Sequence, residues 1–458
     1  MTTTQKIQKK LSDSAAARWT ALIIVSFTMM CGYFITDVMA PLEDLLTKTV
    51  AEGGLGWTSD EYGFFSGAYG YINVFLLMLF FGGIILDKCG IRFTGTASSA
   101  LMLVGAIIKW WAVDSSFGDA TFMGYPMQVA IAALGFAIFG VGAEIAGITV
   151  TKVIAKWFAG HELALAMGLQ VAMARIGTAA ALAFSLPVAQ ATGNTASPIL
   201  LGAALLCIGL IAYLVYCVMD RKLDASLTAT NEESEESFKL SDLKLIFSNT
   251  GFWLITILCV LFYSGVFPFL KFATKLMIYK YGVEAEVAGL IPAMLPFGTI
   301  ALTPIFGSLY DRVGKGVTLM IIGSAMLAVV HILFALPICD GTWGFAIFNM
   351  ILLGIAFSLV PSAMWPSVPK IIPMKQLGSA YAIIFYIQNI GLSMVPVLIG
   401  SVIQKYSTIT TADGATTYDY TVPMSIFALF GLVAILTAVL LKKADKKFGY
   451  GLEQKNIQ

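Results

Sequence analysis

The sequence predicts an all-α membrane protein: twelve transmembrane helices arranged as two pseudo-symmetric six-helix halves. Three observations predict it. Of 458 residues, 58% are hydrophobic and only 12% are charged, with a mean hydropathy of +0.84; a water-soluble domain carries about 25% charged residues. The apolar residues gather into twelve stretches, each near the roughly 20 residues a helix needs to cross a bilayer. A loop pattern in the first half also returns in the second.

The stretches run over 19–42, 61–86, 94–113, 127–155, 163–190, 197–219, 251–278, 287–310, 317–337, 343–365, 377–403 and 422–441. Lys6, Lys9, Lys10 and Arg18 precede the first, which is too long for a signal-peptide core and has no convincing cleavage site, so it reads as a retained span. The one long polar break, Asp220 to Ser248, contains NEESEES and reads as a solvated linker. It divides the chain into an N-terminal half (1–220), a cytoplasmic linker (221–248) and a C-terminal half (249–458). Lys88/Arg92, Lys156, Arg221/Lys222, Arg312/Lys315, Lys370/Lys375 and the lysines at 442, 443, 446 and 447 share a side with both termini. The opposite loops carry Asp114, Asp119, Asp340, Asp413 and Asp419, so both termini are expected in the cytoplasm.

Several function classes are disfavoured. A net charge of +1 gives no basic surface for nucleic acid, and the six cysteines have neither metal-ligand nor disulfide spacing. The chain has two histidines, His161 and His331, and no HExxH or GxSxG, so neither an enzyme nor a bound cofactor or metal is expected. The expected partners are a small solute or short peptide and the lipid bilayer, with the chain acting as a monomer.

The halves repeat. GGIILDKCGIR (82–92) follows span two and FGSLYDRVGKG (306–316) follows span eight; both contain GxxxD(K/R)xG, as Gly83/Asp87/Gly90 and Gly307/Asp311/Gly314, offset by 224. A second match, offset by 214, aligns Gly140/Glu144, Glu162, Arg175 and Gly177 with Gly354/Ser358, Gln376, Asn389 and Gly391. Such repeats imply a pseudo-twofold axis along the membrane normal. In physical terms the glycines let helices approach, while Asp87 and Asp311 can accept hydrogen bonds from helix N-termini or arginines. With Arg92 and Arg312 they are the candidate gating residues. A loop of this form between spans two and three, repeated between eight and nine, resembles the major facilitator superfamily and implies its fold.

Two charges interrupt apolar spans. Glu144 lies 14 residues before Phe158 and Arg175 lies 14 after His161. At 1.5 Å per residue each is about 21 Å from the turn between spans four and five, so antiparallel neighbours bring them to one depth. Ions in hydrocarbon are costly and face an interior or a partner. One reading is a buried salt bridge that fixes the hairpin; the other is a pair presenting opposite charges to a zwitterion. A salt bridge in the empty state that opens for substrate satisfies both. Further candidates are Asp37, one helical turn from Tyr33 on span one; Lys271, on one face with Tyr263 and Phe267 of span seven; Gln388 and Asn389, the repeat equivalents of Ala174 and Arg175; and Trp365, opening WPSVPKIIP, which is expected to break span ten. Lys109 beside Trp110 and Trp111 reads as an interfacial anchor, and His331 as a packed histidine.

YFITD (33–37), GVGAE (140–144), WFAGHEL (157–163), GLQVAMARIG (168–177), FYSGVFPF (262–269), MWPSVPKIIP (364–373), LGSAYA (377–382) and IQNIGL (387–392) together resemble one branch of that superfamily, the lysosomal dipeptide uniporters. The resemblance implies movement of dipeptides or short peptides by alternating access, with Glu144 and Arg175 contacting substrate and Asp37 contributing. No acidic dileucine signal stands near the N-terminus, and a bacterial inner membrane is the expected address. The alternative is a carrier of another small organic ion, such as an amino acid or a monocarboxylate, with or without proton coupling. Nitrate carriers have arginines in spans two and eight, proton-driven peptide carriers an ExxER-type motif in span one, and drug antiporters a glycine–proline motif in span five; all three are missing here.

Overall fold

The computed structural model describes residues 11–158, 161–226, 240–373, 376–411 and 416–455. The turn at 159–160, the NEESEES part of the linker, Lys6, Lys9, Lys10, Lys375 and Asp413 lie outside the described residues. Eleven helices among the described residues are long and apolar enough to cross a membrane. Ten keep close to the expected stretches, among them Met127–Trp157 (span four), Leu163–Thr192 (span five), Thr250–Tyr281 (span seven), Trp343–Ile371 (span ten) and Leu377–Val402 (span eleven). Span one is Ala15–Asp37, so it begins and ends earlier than the 19–42 stretch.

Span two is not the continuous 61–86 helix expected. It runs as Ser59–Gly67, a 3-10 turn at Ala68–Gly70, Tyr71–Phe75, and then the start of Met78–Asp114, the helix that goes on to form span three. The chain leaves the helix at Leu76 and Leu77, where Leu77 takes a left-handed φ of +53°, and the glycines before it pack backbone to backbone. A Cβ at Gly67 would lie 2.3 Å from the Ser393 carbonyl oxygen, and one at Gly63 would lie 2.6 Å from that of Pro396. These residues trade helix stability for backbone contact with span eleven.

The repeated loop is explained differently from expectation. Gly90 and Gly314, its last glycines, turn the chain at φ +73° and +72°, left-handed conformations that a Cβ disfavours. Gly83 and Gly307 instead face open space, with nothing within 4 Å of an added Cβ, so close helix approach is not their role here. Asp87 pairs with Lys152 at 2.7 Å rather than with an arginine or a helix end, and Arg92 reaches Asp220 at 3.0 Å. Asp220 also takes Lys156 at 2.9 Å. These pairs all lie within the first half, on the side that bears the termini; Arg312 is exposed.

WPSVPKIIP does not break span ten. The helix continues through Pro366 and Pro369 to Ile371. Pro369 cannot bond the Trp365 carbonyl, but the Tyr381 hydroxyl donates to that oxygen at 3.2 Å. Lys109 is not an interfacial anchor: it is fully buried, donates to the Ile35 carbonyl at 2.8 Å and lies 4.5 Å from the Phe136 ring centroid. His331 is buried, bonds the Gly265 carbonyl at 2.8 Å and stacks on Phe427.

On the far side from the termini, the two halves are joined. Ser401 bonds Asp60, the Ser59 amide donates to Gln404 at 3.0 Å, and Tyr279 donates to Asp44 at 2.7 Å. Glu43, in the loop after span one, is fully buried there, 3.7 Å from the Lys275 ammonium, and neither of its carboxylate oxygens has a hydrogen-bond partner. Burial pushes its carboxyl up from an ordinary 4.5 to about 7; Lys275 opposes the rise and Asp44 adds to it. A folded pKa raised this way stabilises the fold fully below about 4.5, and that stabilisation is lost as pH rises through about 7. The melting temperature should therefore fall between pH 5 and pH 8 by more in the native protein than in Glu43→Gln. Parallel curves would show that Glu43 does not titrate in this window.

Candidate functional site

A cavity of about 600 Å³ lies between the halves. Its wall takes Tyr33 and Asp37 from span one, Glu144 from span four, Arg175 from span five, Tyr263 and Lys271 from span seven, Trp365 from span ten, and Gln388 and Asn389 from span eleven. All nine residues singled out from the sequence meet there, although they come from both halves and from six spans.

Their pairing differs from the expected one. Glu144 and Arg175 form no salt bridge with each other. The Tyr69 hydroxyl donates to Glu144 Oε1 at 2.8 Å. The Arg175 guanidinium carbon lies 5.4 Å from the ring centroids of both Phe267 and Phe357, so the cation rests against two aromatic rings of the other half. Such contacts are worth about 0.5–2 kcal/mol each. They hold the guanidinium in place while leaving its fork of N–H donors without a carboxylate.

Asp37 and Lys271, by contrast, are paired. Lys271 Nζ lies 2.6 Å from Asp37 Oδ1 and donates to the Thr36 carbonyl at 2.8 Å. The Tyr62 hydroxyl bonds the Lys271 carbonyl at 2.8 Å. Asp37 is thus committed to a clamp between spans one and seven. Among the described residues, the cavity's free charges are therefore one carboxylate and one guanidinium, both on the first half.

The second half supplies neutral contacts. Trp365 Nε1 donates to the Tyr263 hydroxyl at 2.9 Å, and Trp365 stacks on Phe385. Asn389 Nδ2 returns to the Phe385 carbonyl at 3.0 Å, and Gln388 Oε1 accepts from the Cys259 thiol at 3.6 Å. Sequence reasoning missed Tyr69, Ser66, Phe136 and Tyr381, which also line the cavity. Tyr69 sits in the 3-10 turn of span two, and a Cβ at Gly140 would come within 2.0 Å of its carbonyl oxygen. The close packing of that glycine brings Tyr69 beside Glu144, four residues farther along span four. Among the described residues no three His, Cys, Asp or Glu side chains gather as a metal site would require.

Comparison with known proteins agrees with this architecture. The family model described as Major Facilitator Superfamily matches residues 22–396 and 272–455. The chain is 30% identical over 394 residues to the zebrafish (Danio rerio) protein named lysosomal dipeptide transporter MFSD1, covering 83% of this chain and 80% of that one. It is 28% identical over 400 residues to the human (Homo sapiens) protein of the same name, covering 85% and 81%. Among solved structures, a bacterial homologue of the human lysosomal transporter Spinster superposes with a TM-score of 0.71 at 12% identity, over 95% of this chain and 98% of that one. The nucleoside transporter NupG gives 0.67 at 17% identity over 93% and 99%. At these identities the structural matches speak for the fold alone, whereas the family model and the sequence relatives also place the chain among transporters rather than enzymes. The chain is a multi-pass membrane protein that belongs to the major facilitator superfamily, in the branch that holds the MFSD1 relatives.

Proposed function

We propose that this protein carries dipeptides, and other short peptides, across the membrane by alternating access. The observation that carries this reading is the pair of opposite charges, Glu144 and Arg175, which line one cavity between the halves without neutralising each other. A dipeptide has an ammonium at one end and a carboxylate at the other. Glu144, steadied by Tyr69, takes the ammonium. Arg175 takes the carboxylate through two parallel N–H donors. Tyr33, Tyr263, Trp365, Gln388 and Asn389 surround the backbone between them, so selection rests on the termini and tolerates varied side chains. The names of the MFSD1 relatives support the same substrate class.

Residues 1–220 and 249–458 act as the rocking halves, joined by 221–248. One chain supplies the whole cavity, which suits a monomer. The basic side, with Arg18, Lys88, Arg92 and Lys156, faces the cytoplasm, and the bacterial inner membrane is the address we favour. In that orientation the contacts at Asp60, Glu43 and Asp37 hold the outer side shut, with Asp87 and Arg92 bracing the inner side.

Purified protein should be thermally stabilised by Ala-Ala and other dipeptides and not by free alanine, whose ammonium and carboxylate share one carbon whereas those of a dipeptide are set apart on two residues. Glu144→Gln should insert and melt normally yet lose about tenfold or more in peptide affinity, as expected on removing a charged hydrogen-bond partner worth about 1.5–3 kcal/mol. Equal shifts with free amino acids, or native uptake by Glu144→Gln, would overturn the assignment.

A further inference from the structure

A second chamber of about 450 Å³ adjoins the first. Arg175, Tyr263 and Trp365 line both. From Arg175 the second chamber runs along span five to Gly168, about 10 Å away, and spans eight and ten line its other side with Ile300, Thr303 and Phe357. Its wall is carbon-rich even where its residues are polar. The Thr299 hydroxyl is turned into the Pro296 carbonyl at 2.7 Å, and the Ser362 hydroxyl into the Ser358 carbonyl at 2.6 Å. Among the described residues, Arg175 is the only ionisable side chain along it apart from the tyrosine of the partition.

We infer that this chamber is the subsite for the carboxyl-terminal side chain of the peptide. The inference rests on the reading that Arg175 binds the peptide carboxylate. In any α-peptide the carbon bearing the last side chain is bonded directly to the carboxylate. Fixing the carboxylate on Arg175 therefore fixes where that side chain departs, and the chamber opens at that guanidinium. Apolar walls favour Leu, Met or Phe there, whereas the positive Arg175 with no carboxylate beside it disfavours Lys or Arg. The amino-terminal side chain projects from the Glu144 end and does not meet this chamber.

The wall offers a clean way to test this. Gly168 lines the chamber and a Cβ added there meets nothing within 4 Å, so Gly168→Leu brings bulk to this wall from an uncrowded position. Binding of Ala-Ala, Ala-Phe and Phe-Ala is measured by thermal shift and by competition for uptake. In Gly168→Leu, Ala-Phe should weaken about tenfold or more, the size expected when an apolar subsite loses space for its ligand, while Ala-Ala and Phe-Ala stay within about twofold of native. Thr303→Asp supplies the opposite readout: Ala-Lys should gain about tenfold and Lys-Ala should not. Equal weakening of all three peptides in Gly168→Leu would make the chamber an exit path instead and overturn the inference, as would selective loss of Phe-Ala or no gain for Ala-Lys. Failure of the native protein to bind any of them would instead overturn the peptide assignment itself.

Discussion

Arg175→Ala loses peptide uptake by two orders of magnitude or more, while the purified protein keeps its fold and its melting temperature within a few degrees. Truncating one partner of a buried charge pair costs about 2–5 kcal/mol, much of it from stranding the other charge. Here the stranded charge is the substrate carboxylate, already stripped of water inside the cavity. The fold is spared because Arg175 is not half of a protein salt bridge: its neighbours are the rings of Phe267 and Phe357, which can close over the space it leaves. Arg175→Lys recovers only part of the loss. It restores the charge but neither the bidentate fork nor the flat surface that lies against two rings. Uptake in proteoliposomes, with ligand-dependent thermal shifts on the same preparations, checks each statement. Native uptake by Arg175→Ala would reduce the residue to a packing element between the halves.

The cavity wall was readable from the sequence further than the partnerships within it. Bilayer thickness imposes a length on every span, so the apolar stretches declare themselves, and a charge inside one is expensive enough to imply an interior position. Depth along a helix is then estimated by counting residues, which is the ground for expecting Glu144 and Arg175 at one level; both line the same cavity. Azimuth and long-range choice do not follow from counting. Asp37 and Lys271 are 234 residues apart, and either could have met a ligand; only the fold shows that they meet each other. Tyr69 could not be phased because the 3-10 turn at Ala68–Gly70 resets the helical period just where it sits. Lys109 misled for a different reason. A lysine beside two tryptophans has the composition of a membrane interface, but Phe136, Phe139 and the Ile35 carbonyl make an interior pocket for its ammonium. The proline run after Trp365 misled because a hydroxyl from another span, that of Tyr381, takes the carbonyl Pro369 leaves free.

The Asp37–Lys271 clamp should control which face of the protein is open. Its ammonium and carboxylate are 2.6 Å apart, nearly buried, and belong to different halves. Removing one member of such a pair costs about 3–5 kcal/mol when the survivor cannot reach water. In this protein the survivor has an escape, since parting the halves on that side brings solvent to it. The cost therefore appears as a conformational shift rather than as unfolding: about 3 kcal/mol moves a two-state ratio by roughly 150-fold, toward the state open on the side away from the termini. A cysteine at Ser66, which lines the cavity from span two, reports this through its labelling rate with a membrane-impermeant thiol reagent added from that side. Asp37→Asn and Lys271→Met should each raise the rate strongly. The double variant Asp37→Asn/Lys271→Met should fall back toward native, because it strands no charge, and this non-additivity separates a coupled pair from two independent contacts. Additive effects in the double variant, or unchanged labelling in both single variants, would show that the two side chains are neighbours without being a gate.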